Sequence, residues 1–76
     1  MEVLIKLTPL QNSRVMLLGR IVETPENEWY VLHTDEEGTV HAFEMHHREG
    51  LEDGMNVDFV VVRGNNYAKA YVQFVK

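Results

Sequence analysis

Apolar and polar residues alternate in steps of two through most of this 76-residue chain, and no segment shows the spacing of an amphipathic helix. Such a pattern makes strands, each with one face for a core and one for solvent. A chain this short builds only a small sheet, whose edges expose unpaired N–H and C=O groups. Closing the sheet on itself removes those edges. The expected fold is all-β: a small five-stranded antiparallel barrel, with an extra N-terminal strand as an option.

The central stretch runs from Glu28 to His46. Trp29, Val31 and His33 alternate with Tyr30, Leu32 and Thr34. Asp35-Glu36-Glu37-Gly38 makes an acidic turn in which Gly38 is free to take positive φ, and Thr39 to Met45 alternates again. Pairing Thr34 with Thr39 sets Tyr30 opposite Phe43, Leu32 opposite His41, Trp29 opposite Glu44 and Val31 opposite Ala42. Residues directly across a ladder share a face. This register predicts a core face of Tyr30, Leu32, Phe43 and Met45. The other face holds Trp29, Val31, His33, Ala42, Glu44 and His46. It carries the only tryptophan and is the candidate working face.

Around this hairpin the chain divides into an arm, residues 1–13, and a barrel domain, residues 14–76. Val3 to Leu7 is a short alternating stretch, broken by Pro9 and Gln11-Asn12-Ser13. Arg14 to Glu23 is the longest strand. Its Gly19 marks a bulge or bend, which lets one strand serve both halves of a closed sheet. Thr24-Pro25-Glu26-Asn27 turns the chain into the hairpin. After it come a loop, His47 to Gly50, and a tight turn, Leu51 to Met55. Asn56 to Arg63 is a β-branched strand. Gly64-Asn65-Asn66 turns it into Tyr67 to Val75, with Ala68, Ala70, Val72 and Phe74 on an apolar face.

Composition narrows the function. A net charge of −5 argues against tight, non-specific binding to phosphate backbones. There is no cysteine, hence no disulfide and no thiolate metal site, and a cytoplasmic home fits. No apolar run approaches the ~20 residues of a membrane span, and MEVLIKLTP, interrupted by Glu2 and Lys6, is not a signal peptide. The four histidines do not converge as a zinc site demands, so no metal or other cofactor is expected. The only serine, Ser13, lies in a turn without an elbow motif, and no phosphate-cradling loop is present; the chain is read as not an enzyme.

From Gly19 onward the chain resembles a cold-shock domain, a five-stranded OB-type barrel. The likeness rests on Gly19-Arg20-Ile21-Val22-Glu23, on Trp29-Tyr30-Val31-Leu32, on the Asp35 to Gly38 turn, on Phe43 and His46, and on Leu51-Glu52-Asp53-Gly54-Met55-Asn56-Val57-Asp58-Phe59. The chain is also similar to bacterial translation initiation factor one and S1-like domains, through Gly19 to Thr24 and Glu37-Gly38. The resemblance implies binding of single-stranded nucleic acid by base stacking on surface aromatics, each stack contributing ~1–3 kcal/mol. The departures weaken that expectation. The family's lysine-led aromatic run is Asn27-Glu28-Trp29-Tyr30-Val31 here, so the lysine is gone, only Trp29 keeps a large aromatic on the working face, and Glu44 sets a negative charge there.

Two functions stand. The first is a weak binder of single-stranded RNA or DNA with a regulatory role in transcription or translation. Its surface would be Trp29, Val31, His33 and His46, a strip of Tyr67, Lys69 and Tyr71 on the last strand, and Arg20, with Arg63 also near the backbone. The strip has a plainer reading, as tyrosines covering the barrel wall with Lys69 for solubility. Trp29 is either a platform for a base or partner, or a cap on the barrel end beneath the Pro25 loop. The second function is an acidic protein-interaction module that has lost the nucleic-acid surface and regulates a basic partner. No membrane partner is expected. The chain is expected to be a monomer, or a homodimer formed through residues 1–8.

Overall fold

The computed structural model describes residues 15–76. They form five strands: β1 Leu17–Glu23, β2 Trp29–Thr34, β3 Val40–Met45, β4 Asn56–Arg63 and β5 Ala68–Val75. The strands close into a barrel in the order β1-β2-β3-β5-β4, with β4 returning to β1. Every pairing is antiparallel except β3 with β5, which is parallel. This is an all-β, five-stranded OB-type barrel, and no helix among the described residues is long and apolar enough to cross a membrane. The arm at residues 1–13, with the extra strand and dimer contact expected of it, lies outside the described residues, as does Arg14.

β1 serves both halves of the barrel. Leu17 to Arg20 pair with β4 and Arg20 to Glu23 pair with β2, so the two ladders meet at Arg20. Gly19 is buried beside that junction. A Cβ there would lie 2.6 Å from Val31 Cγ1, 2.7 Å from Phe59 Cε1 and 2.8 Å from the Leu32 carbonyl oxygen. The glycine therefore answers a packing demand. The bulge falls elsewhere, between β4 and β5: Asp58 opposes Phe74 and Phe59 opposes Val72, leaving Gln73 as the extra residue.

The hairpin register differs from the expected one by a residue. Thr34 pairs with Val40, His33 with His41, Leu32 with Ala42, Val31 with Phe43 and Tyr30 with Glu44. Asp35 is the cause. Its backbone N–H donates to the Thr39 carbonyl, and its Oδ1 accepts from the Glu37 and Thr39 amides at 2.9 Å each, so Thr39 belongs to the loop. Gly38 takes φ +90°, as expected of it. A slip of one residue exchanges the faces of one strand. Val31 is fully buried with Phe43 and Met45, while Tyr30 and Leu32 lie outside with Ala42 and Glu44.

The core is one cluster: Ile21, Val31, Phe43, Met45, Leu51, Val57, Phe59, Ala70 and Val72. Phe59 is its centre, with the Phe43 ring centroid 6.0 Å away. Each of its side chains larger than alanine contributes about 1.5–3 kcal/mol by leaving water. The turn before β4 is tied to β1: Gly54 N–H donates to the Ile21 carbonyl, Ile21 N–H to the Met55 carbonyl, and Glu23 N–H to Asp53 Oδ1. These bonds seat Leu51 over the barrel end.

Candidate functional site

The β1–β2 turn sets the first wall of the site. Asn27 N–H donates to the Thr24 carbonyl, Glu28 N–H donates to Thr24 Oγ1, and Asn27 takes φ 70°, a left-handed conformation that asparagine tolerates. The turn delivers Glu28, Trp29 and Tyr30. The end of β3 delivers Glu44, Met45 and His46, with His47 just beyond. Lys69 comes from the start of β5, where the parallel register sets it beside Glu44. Together with Asn27 these residues line a groove of about 350 Å³.

Inside the groove the Trp29 ring stacks on His47, centroids 4.0 Å apart and planes 21° from parallel. His47 Nε2–H donates to the Leu51 carbonyl at 2.7 Å, which fixes the imidazole in place. Trp29 is half-buried and packs against the core, so it caps the barrel end with one face already covered. Lys69 Nζ donates to His46 Nε2 at 3.2 Å.

The groove opens onto the outer face of the sheet. One row of that face crosses four strands, Val22, Tyr30, Glu44 and Lys69; the next is Arg20, Leu32 and Ala42. Tyr30 dominates it. Its hydroxyl donates to Glu28 Oε1 at 3.3 Å. The Glu28 charge, partial burial, that hydrogen bond, and the charges of Glu44 and Glu26 push the phenol above its ordinary pKa. A raised phenol pKa reports negative potential at the ring.

The groove thus brings together three of the residues expected from sequence, Trp29, His46 and Lys69. Val31 faces the core and has no exposed surface, which corrects its placement on a working face. His33 also turns inward, half-buried at the far end of β2. Its Nδ1–H donates to the Leu18 carbonyl at 2.9 Å, and its ring lies 6.2 Å from Phe59 and 6.3 Å from His41, the histidine across the ladder. Arg20 is exposed on β1 beside Leu32. Tyr67 sits in the β4–β5 turn with its ring against Gly64, and Tyr71 lies on the outer wall opposite Val60.

Sequence reasoning missed Glu28, Tyr30 and His47. The signal was the alternation itself: placing Val31 in the core would have turned Tyr30 outward. No family model, curated protein or solved structure matches the chain. Among the described residues, no three His, Asp or Glu side chains are grouped to hold a metal ion.

A second ionisable pair lies at the hairpin tip, remote from the groove. His41 Nε2–H donates to Asp35 Oδ2 at 3.0 Å, with both side chains largely covered. That bond, with the Thr39 and Glu37 amides, holds the Asp35 carboxyl below the ordinary carboxylate range.

Proposed function

We propose that the chain is a binding module whose acidic outer face docks a basic segment of a partner protein. The observation that carries this reading is the pair of carboxylates flanking Tyr30: Glu28, whose Oε1 accepts from its hydroxyl at 3.3 Å, and Glu44 directly across the ladder. An aromatic face in such a field suits a lysine or arginine side chain. The cation gains from the ring, about 0.5–2 kcal/mol, and from the flanking carboxylates. Val22, Leu32 and Ala42 supply apolar contact around it. The net charge of −5 draws basic partners at long range. Polymerases, ribosomes and nucleases present such segments in the cytoplasm.

Binding of single-stranded nucleic acid is the second reading. It draws support from the OB-type barrel, from the likeness to cold-shock and initiation-factor-one sequences, and from Trp29, His47 and Lys69 in the groove. Against it, a phosphate chain crossing the face meets Glu44 on the row where Lys69 is the only lysine, and Glu28 beside that row.

Calorimetric titration separates the two. A lysine- and arginine-rich peptide of about ten residues is expected to bind saturably at low salt, weaken as salt rises, and weaken again in Glu28→Gln/Glu44→Gln. An oligothymidylate of similar length is expected to give no heat of binding. Saturable oligonucleotide binding with a silent peptide overturns the proposal in favour of nucleic acid.

A further inference from the structure

Beyond Lys69 the outer wall of the barrel turns apolar. Cross-strand pairing sets Leu18, Asp58 and Phe74 in one outer row, Val60 and Tyr71 in the next, and Val62 and Lys69 in a third. The β1–β4 register, continued by one step, brings Met16 beside Val60. Leu18 is 57% exposed, Phe74 61%, Met16 46%, Val62 45% and Tyr71 39%. Together they present on the order of 500 Å² of surface, near the top of the range for the largest apolar patch on a monomer.

We infer that this face is where two copies of the chain associate. Because the described strands form a closed barrel, association through them is face to face, not by strand addition at an edge. Charge does not oppose a two-fold contact: Asp58 in the first row is paired with Lys76 at 3.6 Å, and Lys69 in the third stands beside Glu44. An axis through the middle row, where Tyr71 is exposed and Val60 buried beneath it, brings the Asp58 row of one copy over the Lys69 row of the other, twice over. Two such patches bury about 1,000 Å² in all, the lower bound for a specific interface, so the dimer is weak and concentration-dependent.

The test is sedimentation velocity on the full chain across micromolar to millimolar concentrations. The weight-average mass is expected to rise toward the dimer. Phe74→Glu, and separately Leu18→Glu on a different strand, are expected to raise Kd at least about tenfold with an unchanged circular dichroism spectrum, since both side chains are exposed. Glu36→Gln, exposed in the β2–β3 turn, is expected to leave Kd unchanged. A wild-type chain that stays monomeric to millimolar concentration overturns the inference. So does a dimer that survives both glutamate substitutions, or one that they leave intact but deletion of residues 1–14 abolishes, which would assign the contact to the arm.

Discussion

Gly19→Ala is the sharpest test of the barrel's packing. Replacing glycine by alanine in an ordinary extended conformation stabilises a protein by about 0.4–1 kcal/mol, because the unfolded chain loses freedom. Here the sign reverses. The new methyl would lie under 3.0 Å from three atoms: Val31 Cγ1, Phe59 Cε1 and the Leu32 carbonyl oxygen. Val31 and Phe59 are fully buried, and the carbonyl belongs to a neighbouring strand, so none of the three has free space to retreat into. Overpacking against such neighbours costs about 3 kcal/mol. A chain of this size holds roughly 4–11 kcal/mol of stability in total, and each kcal/mol moves the melting temperature by about 4–8 °C. Thermal unfolding followed by circular dichroism should therefore fall by roughly 12–24 °C. Gly19→Ala/Val31→Ala should lose less than the two single variants summed, because the second change removes one clashing atom and the two sites couple. Gly38→Ala is the control: its Cβ meets nothing within 4 Å, so only the +90° φ costs it, about 1–2 kcal/mol. If Gly19→Ala melts at or above the wild-type temperature, the tight junction of β1 with β2 and β4 is wrong.

Three further outcomes follow from the site geometry. Asp35→Asn should destabilise the fold at neutral pH. Its carboxyl is depressed in the folded state, so its contribution is full above the unfolded carboxylate pKa and is lost as pH falls through the folded value; the gap in melting temperature should close on acidification below about pH 4. Tyr30 should titrate above an ordinary tyrosine in absorbance near 295 nm, and Glu28→Gln should bring it down, since Glu28 is the largest cause. His47→Ala should cost about 0.5–1.5 kcal/mol for the lost ring stack and shift Trp29 emission to the red as water reaches the indole; unchanged emission would remove His47 from the groove.

The sequence was most legible where side-chain chemistry left one choice. The β-branched run Asn56–Arg63 reads as a strand with the observed ends, and Val57 and Phe59 face the core as the alternation requires. β5 begins one residue later than expected and β1 starts at Leu17. One long strand shared by two ladders is legible in the sequence, but Gly19 is there for the crowding by Val31 and Phe59, not for the expected bulge or bend. β2 was ambiguous because both of its faces carry large apolar residues, Trp29 and Val31 against Tyr30 and Leu32. The decision rested on the turn, and the turn rested on the Asp35 carboxylate holding two amides, which adds one residue to the loop. That single residue exchanged the core and outer faces of β2. The expected site shares that slip, with Val31 and His33 on the surface and Tyr30 in the core. The parallel β3–β5 pairing joins residues 44 and 69, and its register leaves no local trace in either strand. Yet it is what carries Lys69 to the groove.

The central claim is that the acidic face around Tyr30 receives a basic partner, and amide chemical-shift mapping tests it most directly. Titrating the isotopically labelled chain with a lysine- and arginine-rich peptide should move the resonances of Val22, Tyr30, Leu32, Ala42, Glu44 and Lys69, with the effect fading as salt rises. Shifts confined to the Leu18, Tyr71 and Phe74 wall, or none at all while an oligonucleotide moves the Trp29 groove, would contradict it.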